Sequence, residues 1–488
     1  MRCTRPQGPD EHTALTRLSA DLRVRGATHD TPDTSDDEAA TASTRLRVLA
    51  RVGFITHHRD LYRRDMDDES LRSLWPSRWP AEDGGSCRRQ APSDGVGLDA
   101  AGSVASVTSR LSIACTMVVL RDPGEVYLLC HTGGDDAISW VEQIDPHSLE
   151  TIRRSPDLPG GPTWPGGIAA HANGSLVVVF GRHAHRLSAD LCDVRTVVLP
   201  RNRPYNSFVV LPDGCIATKD FGGARPGHPD GDDLGASQLL VLHPDDLRVL
   251  ATCDLPEPSI ARLSADGADV YVVGDTSLQR VRWNGYSLTL DNEFRPVYRT
   301  MEGQTYGWDA VIDGGAAWFL DNGAGNDRYA GCFRGLGVST APLHLVRVGL
   351  ADGSVQLDEV CGLPGGLIAN PPAIDIERGI AVGYDSGNGV VTAFDLGADG
   401  RCASVRWRRQ WNHAAHPIRL PSSGEIVLCD FDTERNAEQL LVVDIDTGDE
   451  LARVDTGSPV QSVLFGAVGF GRDLYFCSFT TITRVSFA

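Results

Sequence analysis

Five polar residues of this chain share one context, an irregular stretch that leads into an apolar run. They are Asn206 in YNSF, Asp309 in GWDA, Asn370 in ANPP, and His413 and His416 in NHAAHP. Amide and carboxylate oxygens beside imidazole nitrogens are the donors of an oxygen/nitrogen metal site, and Asp and His are also common proton carriers. Two chemistries would follow if the five converge. One is a divalent cation, calcium or magnesium, held by Asn206, Asp309 and Asn370. The other is acid–base work by His413, His416 or Asp309. The competing reading is a polar channel lining that holds water. A second set, Asp220, Asp275, Asp321, Asp385 and Asp430, closes apolar runs. These carboxylates would suit a hard cation, or each would accept hydrogen bonds from its own loop amides.

What positions these residues is a repeat. A tight turn between two apolar runs recurs in RDPGEVYLLC (121–130), HANGSLVVVF (171–180), LPDGCIATKD (211–220) and SADGADVYVVGD (264–275). It returns in VIDGGAAWFLD (311–321), DIERGIAVGYD (375–385), PSSGEIVLCD (421–430) and GFGRDLYFCS (469–478). A second turn family alternates with it: IDPHSLE, LSADLCD, LHPDDLR, RWNGYS, LADGSV, LGADGR and DIDTGDE. The unit is strand, tight turn, strand, loop, strand, tight turn, strand, a four-stranded antiparallel blade. A blade cannot cover both of its own faces, so radial stacking is required. Eight copies of the first turn predict an all-β, eight-bladed β-propeller over 103–488, with seven blades as the alternative. The chain stops after the eighth blade's third strand, so VASVTSRL (104–111) is expected to supply its fourth and close the ring.

In such a ring all the tight turns lie on one face. The other face carries the second-to-third loops and the connections between blades. The long insertions GGARPGHPDGDDLGAS (222–237) and NGAGNDRYAGCFRGLGVST (322–340) fall there, which makes it the expected functional face. Trp164 in TWPGG and Trp308 stand in connections close to the axis.

Composition narrows the partners. A formal net charge of −20 disfavours nucleic acid and anionic membrane. No run approaches the ~20 apolar residues that span a bilayer. The 12 cysteines form no C-x-x-C pair and sit mostly in apolar runs, as buried free thiols of a reducing compartment would. With no apolar leader in MRCTRPQGPDEH, a cytoplasmic, monomeric protein is expected. H-E-x-x-H, G-x-S-x-G and P-loop patterns do not occur. Residues 1–100 show no strand pattern and read as a disordered region and linker, with a basic helix at 44–66 and Trp75 and Trp79 as possible packing points. Their removal is expected to leave thermal stability nearly unchanged.

YNSFVVLPDGCIATKD and GYDSGNGVVTAFDL resemble repeats of the calcium-dependent phosphotriesterase superfamily, the gluconolactonase and strictosidine-synthase-like propellers, and of NHL-repeat propellers. VVDIDTGDELARV is similar to the turn of quinoprotein-like propellers. The lactonase resemblance implies a channel metal held by Glu, Asn and Asp, onto which Asn206 and Asp309 map, with Asn370 as a third. No Glu stands at the first-blade position, and eight repeats exceed the usual six. The resulting expectation is a small-molecule-acting propeller, a metal-assisted hydrolase or lactonase. The alternative is a non-catalytic scaffold that offers its long-loop face to a protein partner.

Overall fold

The computed structural model describes residues 71–225, 228 and 235–488; the 44–66 segment lies outside them. It contains eight sheets, each with four strands in antiparallel succession, arranged as an eight-bladed β-propeller. The first blade carries one extra short strand, Leu158–Gly161, against its third. Strand Ala105–Leu111 pairs along its whole length with the last strand, Thr481–Phe487, so the eighth blade is closed from upstream as the sequence implied. Among the described residues there is no α-helix, only two short 3-10 turns.

The apolar pattern follows from radial stacking. Second strands lie between two neighbouring blades, so both of their faces are covered. LVVVF (Leu176–Phe180) is accordingly buried at every position. Fourth strands form the outer rim and alternate between half-buried and exposed, as in Val194–Val198. Seven of the eight repeated turn glycines, Gly124, Gly174, Gly214, Gly267, Gly314, Gly379 and Gly424, adopt φ between 56° and 90°, a region that costs glycine little. The third-to-fourth turns solve the same problem in two ways. Gly353 and Gly448 take φ of 65° and 71°, whereas Leu149 and Leu247 take 64° and 57° at equivalent positions. Left-handed geometry costs a leucine about 1–2 kcal/mol. Each of these leucines is fully buried, which is worth about 2 kcal/mol, so burial wins and the turn is kept.

The 71–100 stretch is not a linker. It forms a strap that starts at the tight turns beside Pro212 and Gly469, dips along the inner wall at Glu82 and Arg88, and ends beside the seventh-blade turn at Glu425. Leu74 and Ala81 make β-bridges to His171 and Ala169 on the second blade's innermost strand. Leu120 of the first blade donates to the Trp79 carbonyl. Ser86 bonds the Val210 carbonyl of the third blade and accepts from Ala265 of the fourth. Ile312 of the fifth donates to the Cys87 carbonyl, and Arg419 of the seventh to that of Gln90. Arg78 donates to the carbonyls of Gly469 and Gly471 on the eighth. Innermost strands present an unpaired edge to the channel, and the strap satisfies part of it blade by blade. Trp79 and Leu98 are 1% and 0% exposed, so the linker reading is corrected. The sequence shows no period here because the strap belongs to no sheet.

Candidate functional site

On the long-loop face the channel widens into a funnel of about 550 Å³. Its walls are aromatic. Trp164, Trp308 and Phe465 come from connections between blades, Tyr329 and Phe333 from the fifth-blade insertion, and Phe479 from the last loop. The rings brace one another: Trp164 stacks on Phe221 at 4.6 Å between centroids, and Tyr329 meets Phe333 at 5.0 Å and Phe479 at 5.9 Å. Asn326 fixes the 322–340 insertion to its neighbour by donating to the Ile368 carbonyl at 2.8 Å. That insertion is thus a wall of the funnel. At the rim Asp135 accepts from Arg225 at 2.9 Å and lies 3.2 Å from His228 Nε2.

Phe465 lies between the funnel and a buried polar cluster. Its ring is 3.9 Å from that of His416, and the Arg262 guanidinium lies 4.5 Å from its centroid. Arg262 donates to Glu82 at 3.1 Å, to the Asn206 carbonyl at 2.6 Å and to the Pro165 carbonyl at 2.7 Å. The strap places Glu82, Asp83 and Arg88 here. Arg88 bonds both carboxylates, the Leu263 carbonyl and the Ser207 hydroxyl. Asp83 faces His416 Nδ1 at 2.9 and 3.1 Å through its two oxygens. Burial pushes the Asp83 carboxyl up, but His416 and Arg88 outweigh it and hold it below the usual carboxylate range. For Asp309 burial wins over Arg88, Arg262 and His416, and its carboxyl is raised.

The residues singled out in the sequence divide into three groups. Trp164, Trp308 and Asn370 line the funnel, while Asn206, Asp309, His413 and His416 lie buried beneath it. Asn206 and Asn370 do the same structural work. Each donates its amide to the next blade's connection, Asn206 to the Ile260 carbonyl at 3.1 Å and Asn370 to that of Ala414 at 2.5 Å. Asp309 accepts the Arg262 backbone N–H at 2.6 Å. The rim carboxylates are staples as well. Asp220 and Asp321 accept from the first backbone amide of their third strands, Gln238 and His344. Asp385 accepts from Leu367 and Asn388, Asp430 from Asn412 and Arg453, and Asp275 from Arg299. Each serves its own blade.

A divalent cation does not fit the Asn206, Asp309 and Asn370 set. The Arg262 guanidinium already spans from the Asn206 carbonyl to within 3.9 Å of the Asp309 carboxylate, and Arg88 adds a second positive charge nearby. Among the described residues no group of three or more His, Cys, Asp or Glu is arranged to hold a metal ion. Sequence reasoning missed Arg262 and the strap trio; the charges of AEDGGSCRR were visible, but nothing local marked them as buried.

Lys219 is another buried charge near the axis. Burial lowers its pKa to about 7 against the pull of Asp220 and Asp309. Above that pH the folded protein binds fewer protons than the unfolded chain, so this residue makes stability rise with pH. Its contact, the Ser259 carbonyl, also accepts from Gly222 and stays satisfied without it. Between pH 7 and 8 the melting temperature of wild type is expected to gain on that of Lys219→Met. A constant difference across that interval, read by calorimetry, would refute the assignment.

No protein-family model and no curated protein sequence matches this chain. Solved structures do. The quinohemoprotein alcohol dehydrogenase from Comamonas testosteroni superposes with a TM-score of 0.56 at 10% identity, over 87% of this chain and 83% of that one. A europium-containing methanol dehydrogenase gives 0.53 at 10% identity, over 84% and 91%. BamB from Moraxella catarrhalis gives 0.50 at 11% identity, over 79% and 98%. At these identities the likeness is one of fold, that of an eight-bladed β-propeller.

Proposed function

We propose that this protein binds a small, planar, largely apolar organic molecule in the aromatic funnel on its long-loop face. The observation that carries the reading is the funnel itself, about 550 Å³ walled by six aromatic side chains. That volume is typical of small-molecule sites, and aromatic walls favour flat ligands through offset or edge-to-face contact. The reading favours a small molecule over a protein partner because the 322–340 insertion turns Tyr329 and Phe333 into the funnel. Hydrolysis of an ester or lactone is the reaction class we attach to this site, without the metal.

The test uses 8-anilinonaphthalene-1-sulfonate (ANS) as probe. Saturable binding with one site per chain is expected, with affinity reduced at least about tenfold, or ~1.4 kcal/mol, in Trp164→Ala. Trp164 is only partly buried, so the variant should stay folded. Equal affinity in wild type and variant would sink the reading.

A further inference from the structure

Around His416, whose ring packs on Phe465, three buried polar atoms have no hydrogen-bond partner among the described residues: His416 Nε2, His413 Nε2 and the Tyr384 hydroxyl. Buried polar groups are almost always paired, so such a cluster calls for an explanation. The partners that do exist fix the tautomers. His413 Nδ1 accepts the Cys429 backbone N–H at 2.9 Å, which leaves the proton on Nε2 as a free donor. His416 Nδ1 faces Asp83 at 2.9 Å, so a ring that carries a single proton holds it on Nδ1 and leaves Nε2 as a free acceptor. Both imidazoles come from one turn, and Tyr384 meets the His413 ring edge-on at 4.4 Å. The cluster therefore offers one oriented base beside two hydrogen-bond donors. Asp83 and Arg88, which build it, hold φ of 53° and 56°. Non-glycine residues persist there only where their surroundings over-determine them, a pattern that gathers at functional sites.

We propose that His416, oriented by Asp83, is the general base of a metal-free hydrolase acting on aryl or cyclic esters whose ring lies in the funnel. It rests on the funnel reading above. An acyl group that reaches past Phe465 meets His416 Nε2 with a water. The water oxygen bonds to the carbonyl carbon as its proton passes to Nε2. The carbonyl oxygen takes the negative charge and accepts from His413 Nε2–H and Tyr384 O–H, the arrangement that stabilises an oxyanion. Collapse breaks the acyl C–O bond, and the proton on Nε2 passes to the departing oxygen, giving acid and alcohol. Asp83 acts through His416 and is a positioning residue.

The test measures 4-nitrophenyl acetate hydrolysis and ANS binding on the same full-length samples. Wild type is expected to turn over the ester. Five groups face or approach the His416 ring: Asp83 with Arg88 behind it, His413, Asp309, and Arg262 across Phe465. His416→Gln should lower kcat at least about 100-fold with ANS affinity unchanged. Asp83→Asn should lower kcat at least about tenfold with ANS affinity unchanged, because the ring loses the partner that orients it, and Asp83→Glu should restore part of the rate. Should His416→Gln fail to fold, an Asp83→Asn variant that keeps the wild-type kcat overturns the proposal by itself. A His416→Gln variant at wild-type rate, or a wild type that binds ANS but hydrolyses no ester, overturns the base and leaves the funnel standing. Absence of ANS binding removes the funnel, and the base with it.

Discussion

A chain that begins at Ala101 is expected to melt at least about 10 °C below one that begins at Leu71. The strap supplies three large apolar side chains, Leu74, Trp79 and Leu98, all at most 2% exposed. Burial of each is worth about 2 kcal/mol. Domains are stable by only about 5–15 kcal/mol, and in a chain of this size a kcal/mol moves the melting temperature by roughly 2–4 °C. Deletion would also uncover inner-strand amides such as Ile312 and Arg419 and leave the Glu425 carboxylate without the amides of Leu98, Asp99 and Ala100. Differential scanning calorimetry on the two chains decides the matter. Coincident transitions would return the strap to the linker role that its composition suggests.

Arg88→Ala is expected to destabilise the ring by about 3–5 kcal/mol, the range for a buried ion pair that loses one partner. Arg88 is 1% exposed and neutralises Glu82 and Asp83, each at most 6% exposed, while its Nε donates to the Leu263 carbonyl. Lysine should recover little, since one ammonium cannot reproduce a planar fork that bonds four groups. The deficit should shrink in acid. In wild type the Asp83 carboxyl is held below its unfolded value, so its contribution is present above about pH 4 and fades as pH falls through the lowered folded value. Once protonated, Asp83 no longer needs Arg88. Urea titrations at pH 7 and at about pH 3, below the ordinary carboxylate value, give both free energies. A deficit below about 1 kcal/mol, or one that grows in acid, would contradict the central network.

Legibility in the sequence followed periodicity. Asp213-Gly214 and six of its seven counterparts mark turns because glycine tolerates φ between 56° and 90°. Strand 104–111 could be assigned by closure because one blade lacked its fourth member. The axis-facing positions of Trp164, Trp308, Asn370, His413 and His416 followed from the same grammar. What each does was not readable. Asn206 and Asn370 are staples to the next blade, a role set by the carbonyls of Ile260 and Ala414 that only the closed ring brings near. The strap was hidden for a related reason. Its order comes from isolated bonds to seven blades and from left-handed Asp83, Arg88 and Gln90, and neither leaves a period to read.

The most direct measurement is a crystal soaked with 4-iodophenol and read by iodine anomalous scattering. The funnel assignment requires the strongest peak on the long-loop face, among Trp164, Phe465 and Phe479. A strongest peak at the strap-side mouth or between outer strands, with none in the funnel, would contradict the assignment of this face as the ligand site.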